Sequence, residues 1–143
     1  MVKLIKHWSK IFGLNCSTEK RLLSLEEMTF DLKLIDEEYK ENALAAISGD
    51  VEEYKDGLGD LLWTTIMAML NEGIDPEKNI EAIYKSNMSK SCTSIEDVEK
   101  SIDYYKEQGI NVFYVAMDDY FIIKRKSDSK VLKSINFKKP IFK

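Results

Sequence analysis

Two long helix-period runs in this chain are separated only by Ser48 and Gly49. A connection that short makes two helices antiparallel neighbours. The first run opens at Ser24, a good N-cap, and Glu27 three residues later completes a capping box. Its apolar marks are Leu25, Met28, Leu32, Ile35, Tyr39, Leu44 and Ile47, a helical rather than an alternating period. The second run opens at Asp50, with Glu53 at the box position. It continues through Leu58, Leu61, Leu62, Ile66 and Met69 to Asn71 or Glu72, where Gly73 stops it. After Asp60 it is nearly all apolar, so that part is expected to be buried on most sides.

Shorter elements flank this pair. Residues 1–12 read as a helix with Leu4, Trp8, Ile11 and Phe12 on one side, ended by Gly13 and followed by a connection over 14–23. Asp75 caps a fourth helix with Pro76 at its first position, where the missing N–H costs nothing. Its inner face is expected to be Ile80, Ile83 and Tyr84, and its end near Lys90. Ser94 begins a fifth, with Ile95, Val98, Ile102 and Tyr105 inward and Gly109 as stop. The period then changes. Residues 111–116 and 120–124 are β-branched and aromatic, with 117–119 between them, which predicts a hairpin. A polar turn over 127–130, a brief strand at Val131 and Leu132, and an irregular end around Pro140 complete the chain. The fold class is all-α, a helical bundle with a small C-terminal β-hairpin. Residues 1–93 form the core, and 94–143 complete the same domain. Only six glycines and two prolines in 143 residues argue against a turn-rich all-β alternative.

Charge is distributed unevenly. The net charge is −4, yet residues 121–143 hold eight Lys or Arg and a single acid, Asp128. That segment is +7 and the preceding 120 residues are −11. The chain as a whole is therefore not a cationic nucleic-acid binder. No run approaches the ~20 apolar residues of a membrane span, and the first residues lack the pattern of a signal peptide. The expected compartment is the cytoplasm, that of the host if the origin is viral. Two distant cysteines, Cys16 and Cys92, give neither a metal motif nor a disulfide framework. The single histidine, His7, rules out a multi-histidine metal site and reads as a surface or partly packed residue. A metal would have to be held by carboxylates, which select hard cations such as magnesium or manganese.

Carboxylates are available in a pattern. Glu38 and Glu41 are i,i+3 on the first long helix, with Glu37 beside them. Glu53, Asp56 and Asp60 stand at i, i+3 and i+7 on the second. Antiparallel packing lets the two sets converge across the gap. Like charges so placed destabilise a fold unless something neutralises them. Divalent cations do so, and a cation cluster in turn binds phosphates. The competing reading is plain: solvated acidic faces with internal Glu–Lys pairs, and Glu53 as a reciprocal capping residue. Trp63, Tyr104, Tyr105 and the methionines read as packing residues, the tyrosine hydroxyls near water.

The segments LIDEEYKE, DGLGDLLW, GIDPEKNIEAIYKSNMSK and DSKVLKSINFKKP, in that order, carry a resemblance. They look like the all-α nucleoside-triphosphate pyrophosphohydrolases, the MazG-like and phosphoribosyl-ATP-pyrophosphohydrolase-like group that includes dimeric dUTPases. Within it the chain is most similar to a branch common among bacteriophage proteins. The resemblance implies an ExxE motif at Glu38 and Glu41 and a terminal metal carboxylate at Asp60. Gly57 stands where the family has a glutamate, so Asp56 or Glu53 is expected to take over, with weakened or altered metal binding. The resemblance further implies Glu37 as the residue that orients or deprotonates water, Asn87 and Lys90 near the nucleotide, and Lys133 at phosphate. In place of the family's usual turn glycine stands Asp128–Ser129–Lys130.

The expected function follows from the resemblance. It is Mg²⁺-dependent hydrolysis (Mn²⁺ as substitute) of a nucleoside triphosphate between its α and β phosphates. The catalytic residues are Glu37 and Glu38, the metal ligands Glu38, Glu41, Asp56 and Asp60, and the substrate contacts Asn87, Lys90 and Lys133. A homodimer or homotetramer is expected to bury the apolar face of 61–70. Membrane and nucleic-acid partners are not expected. Two alternatives stay open: a nucleotide-binding protein weakened by Gly57, and an adaptor working through the Lys-rich tail with Phe121, Phe137 and Phe142.

Overall fold

The computed structural model describes residues 1–142 apart from Asn15, Ser17, Thr18, Lys20 and Leu22. The connection expected over 14–23 falls partly outside the described residues, and the tail charge of Lys143 wholly so. The elements are α1 (Val2–Ile11), α2 (Leu25–Ser48), α3 (Val51–Asn71), α4 (Pro76–Met88), α5 (Ile95–Glu107), β1 (Val112–Met117) and β2 (Tyr120–Arg125). The chain is mostly helical with a small C-terminal hairpin, as its periodicity predicts. It divides into two compact units, Met1–Glu77 and Lys78–Lys143. No helix among the described residues is long and apolar enough to cross a membrane.

In the first unit α2 and α3 form an antiparallel helical hairpin. Ser24 and Glu27 make the reciprocal capping box: the Glu27 N–H donates to Ser24 Oγ at 3.1 Å, and the Ser24 N–H to Glu27 Oε2 at 2.9 Å. Gly49 ends α2 at φ 75°, a left-handed conformation in which a side chain would be strained. The second capping box is only half made. Asp50 Oδ1 accepts from the Glu53 N–H at 3.1 Å, but the Asp50 N–H goes to the Ala45 carbonyl at 3.0 Å. Helix C-capping has taken the donor that Glu53 was expected to satisfy.

The face of α2 against α3 is not the apolar stripe. It is Asp31, Ile35, Glu38, Asn42 and Ala45, at spacings of four, three, four and three. Asp31, Asn42 and Ala45 are buried, Ile35 and Glu38 half-buried. Leu25, Leu32, Tyr39, Leu44 and Ile47 are exposed, with Leu25 at 77% and Ile47 at 84%. The tight turn around Gly49 fixes the rotation of both helices, so geometry rather than hydrophobicity selects the facing residues. Asn42 Nδ2 donates to the Tyr54 carbonyl at 2.8 Å across this seam.

Helix α1 contributes the apolar core of the unit. Ile5 packs with Ile66 and Leu70, joined by Val2, Cys16, Trp63 and Met67. Ser9 is buried beside Met67, its hydroxyl 3.2 Å from the thioether sulfur. Trp8 meets Trp63 edge-on at 5.6 Å. The buried side of α1 is thus Val2, Ile5 and Ser9, whereas Leu4, Ile11 and Phe12 of the expected face are exposed. A small serine on the inner side allows the close approach to Met67 that a larger residue would block. The stretch after Asp60 is buried at Ile66 and Leu70 but open at Leu62.

In the second unit α5 covers the hairpin. Val98 and Tyr105 pack with Cys92 and Ile123, and Ile102, Phe121 and Leu132 border them. Ile95 is more exposed than its period suggests. β1 and β2 pair antiparallel from Val112↔Arg125 to Met117↔Tyr120, around a two-residue turn. Cys92 extends β2's far edge through two 2.9 Å bonds with Phe121, and Lys124 bridges Val131 there, the brief strand expected. Ile80 and Tyr84 of α4 are exposed rather than inward. Besides Pro76 at its start, the buried α4 residue is Ser86, because this end of the helix is held by hydrogen bonds. Ser86 Oγ donates to the Lys138 carbonyl at 2.8 Å, the Lys138 N–H to Ser89 Oγ at 2.9 Å, and the Ser134 N–H to the Lys90 carbonyl at 2.9 Å. Tyr105 also departs from expectation. Its hydroxyl donates to the Lys133 carbonyl at 2.9 Å instead of reaching water, and burial pushes its pKa up.

Candidate functional site

Glu38 is the centre of the acidic pattern in the first unit. It lies on the seam face of α2, half-buried against α3. Burial raises its carboxyl pKa first, and the charges of Asp60, Glu41 and Glu37 raise it further, in that order. Four of the expected site carboxylates therefore interact around one group. Asp56 is not among them and is exposed.

The acid–Lys pairs of the competing reading also exist, and one of them, Lys33 with Glu37, reaches an expected site residue. Lys40 bonds Asp36 at 2.5 Å, Lys55 bonds Glu52 at 2.7 Å, and Lys33 stands 3.8 Å from Glu37. No ion pair among the described residues engages Glu38, Glu41, Asp56 or Asp60. The side chains as placed do not gather three metal-binding groups: no such cluster occurs among the described residues. The donor chemistry and uncompensated charge nonetheless suit a hard divalent cation.

Gly57 acquires a structural cause. A Cβ built there would lie 2.4 Å from Asn42 Nδ2 and 2.9 Å from Asn42 Cβ. The amide already bonded to the Tyr54 carbonyl fills the space where a side chain at position 57 would start. Restoring a glutamate at this position alone is therefore not expected to strengthen the site, because it must first displace Asn42. Nothing in the spacing of charged residues pointed to Asn42; its signal was a polar residue on the seam one turn after Glu38.

Asn87, Lys90 and Lys133 belong to the second unit. Lys90 Nζ donates to Asn87 Oδ1 at 2.6 Å, which joins two of the residues expected near the nucleotide. Lys133 Nζ stands 4.2 Å from the centroid of the Phe137 ring. The turn that lacks glycine keeps a left-handed residue, Ser129 at φ 57°. Asp128 makes this possible. Its carboxylate takes the Arg125 fork at 2.9 and 2.5 Å and the Lys130 N–H at 3.1 Å, which holds its pKa at about 2.

The Asn42–Gly57 packing makes a double-mutant prediction. Gly57→Ala gains up to about 1 kcal/mol of helix propensity, yet overpacking costs about 1–3 kcal/mol. A net loss is expected in urea unfolding, and Asn42→Ala in the same chain should recover most of it. Gly57→Ala that stabilises by itself would contradict the geometry. A second prediction concerns charge. The folded-state pKa of Glu38 lies above its unfolded value, so its contribution to stability is present at low pH and is lost as pH rises through the folded value. Glu38→Gln should therefore raise the melting temperature at pH 7 without divalent cations, by one or two degrees for about 0.5 kcal/mol. This gain should disappear below about pH 4, where the wild-type carboxyl is protonated. Melting curves across that pH range test it.

The phosphoribosyl-ATP pyrophosphohydrolase family profile matches residues 10–87, more than half of the chain, and spans both long helices with their acidic motifs. No curated protein matches the chain closely enough to name a relative. With the acidic α2–α3 pair lying wholly inside the matched region, the chain belongs to the phosphoribosyl-ATP pyrophosphohydrolase family and so to the nucleotide pyrophosphohydrolases.

Proposed function

We propose that the chain hydrolyses a nucleoside triphosphate between its α and β phosphates, releasing the monophosphate and pyrophosphate, with magnesium or manganese as cofactor. The observation that carries this reading is Glu38, half-buried among the charges of Asp60, Glu41 and Glu37 and without an ion-pair partner among the described residues. Glu38, Glu41 and Asp60 would hold the metal, and Asp56 would offer an oxygen in place of the missing glutamate. When bound, the cation supplies charge neutralisation and polarises phosphate oxygens. Glu37 is the general base, taking a proton from water as the water oxygen bonds to phosphorus and the bridging bond breaks. Asn87, Lys90 and Lys133, in the second unit, are the nucleotide contacts that the sequence resemblance implies, an amide suited to sugar or base groups and ammonium groups suited to phosphate.

A second reading is a nucleotide-binding protein without turnover. It is favoured by Asn42, whose side chain fills the start of position 57. A hydrolysis panel of NTPs and dNTPs with Mg²⁺ and Mn²⁺ distinguishes the two. The wild type is expected to release pyrophosphate, and Glu38→Ala to lose at least about 100-fold. Release that survives Glu38→Ala would remove the proposed site. Tight binding of a nonhydrolysable analogue without release would establish the second reading.

The partner proposal is a homodimer or homotetramer. The stripe of Leu25, Leu32 and Tyr39, spaced at seven residues along α2 and exposed at 77%, 65% and 62%, offers an apolar surface to a second copy. Light scattering should give two or four times the 16.6 kDa chain mass. Leu32→Glu with Tyr39→Glu should reduce it to one. A single-chain mass for the wild type would count against the oligomer.

A further inference from the structure

The α2–α3 seam holds a second polar feature, which the proposed hydrolysis does not use. A cavity of 390 Å³ in the first unit is lined by Arg21, Glu26, Glu27, Phe30, Asp31 and Asn71. That volume lies within the range of small-molecule sites. Asp31 is 6% exposed, and its one bonded neighbour among the described residues is Asn71, whose Nδ2 donates to Oδ1 at 3.3 Å. A buried carboxylate without an ion-pair partner among the described residues has remaining capacity to accept hydrogen bonds.

The cavity's cation is already committed. Arg21 donates through Nε to the Asn71 carbonyl at 2.5 Å and through a terminal nitrogen to Glu27 at 2.8 Å. Glu26 and Asp31 therefore leave the lining negative, and the neighbouring Glu72 feels it: burial first, then the Asp31 charge, raise its pKa. The lining repels exposed carbonyl oxygens and favours amino groups. The Phe30 ring, 59% exposed, offers a flat apolar face to stack on.

Position along the seam gives the cavity its meaning. Asp31 is seven residues before Glu38, two helical turns, so the two share the α3-facing side of α2 about 10.5 Å apart along its axis. An extended nucleotide bridges such a span, with phosphates at Glu38 and base at Asp31. We propose that this cavity is the base subsite and that it takes an amino-bearing base in preference to an oxo-only pyrimidine. The inference rests on the pyrophosphohydrolase reading. The amino group donates to Asp31, and the adjacent ring nitrogen accepts from the remaining N–H of Asn71. A 4-oxo group at the same place meets a carboxylate with nothing to donate.

Cytosine and uracil differ at the 4-substituent and at N3, an acceptor in cytosine and an N–H in uracil, so dCMP and dUMP are the probes, titrated calorimetrically into the full chain. Monophosphates contain no anhydride bond, which makes the base preference readable without turnover. The wild type should bind dCMP about tenfold more tightly than dUMP. Asp31→Asn, nearly isosteric and able to donate to O4, should abolish or reverse the ratio. Equal affinities in the wild type, or a ratio unchanged by Asp31→Asn, would overturn the subsite. If Asp31→Asn fails to fold, Phe30→Ala at the exposed mouth is the second variant. It should weaken dCMP severalfold, and unchanged affinity would count against the proposal. An intact dCMP preference without pyrophosphate release from any triphosphate would reject the hydrolase reading and leave the base subsite standing.

Discussion

Asn42 lies against Gly57 with no room for a Cβ between them, and its amide holds the Tyr54 carbonyl on the opposite helix. This contact sets how closely α2 and α3 approach and which faces they turn to each other. The left-handed Gly49 a few residues away fixes the hairpin from its closed end. Between them, these two constraints determine that Glu38 comes beside Asp60 and that Asp31 comes beside Asn71. A larger residue at position 57 would separate the helices at the point from which both polar pairs are aligned.

The seam so formed is polar, and that has energetic and functional consequences. Buried carboxylates contribute little to stability without partners, and Glu38 and Asp31 have none of opposite charge among the described residues. The apolar stabilisation of the unit comes from elsewhere, from Ile5 of α1 against Ile66 and Leu70 of α3. Meanwhile the apolar stripe of α2 faces away. The arrangement gives one helix two unlike sides: an inner face of carboxylates and an amide, and an outer face of exposed apolar side chains.

The second unit is held by a different device. Serines at 86, 89, 101 and 134 bond backbone groups of segments remote in sequence, and Tyr105 adds its hydroxyl to the Lys133 carbonyl. These bonds satisfy main-chain groups of the non-helical tail and, through Ser134, the Ser89 carbonyl at the end of α4. The basic tail is thereby anchored through its backbone, which leaves the Lys133 and Lys138 ammonium groups outside the anchoring. These serines carry no periodic signal, so they were not legible as structural residues.

Sequence alone determined the helix boundaries, because caps and stops act through a few adjacent residues: Ser24 with Glu27, Gly49, Asp50, Ser94 and Gly109. It also determined the hairpin, where the helical period gives way to β-branched and aromatic residues, and the acidic pattern of Glu38, Glu41 and Asp60. What only the tertiary structure decided was which faces of α1, α2 and α4 turn inward, whereas the inner face of α5, Val98, Ile102 and Tyr105, followed its period. Periodicity located the stripes of α1 and α2 but not their partners, and the inner sides proved to be Ile5 with Ser9, and Asp31 with Glu38 and Asn42. Facing is set by turn geometry and by steric fit between distant residues. The meaning of Gly57 was in the sequence only as an anomaly. Its reason, the Asn42 amide in the space of its missing Cβ, exists only once the two helices are packed.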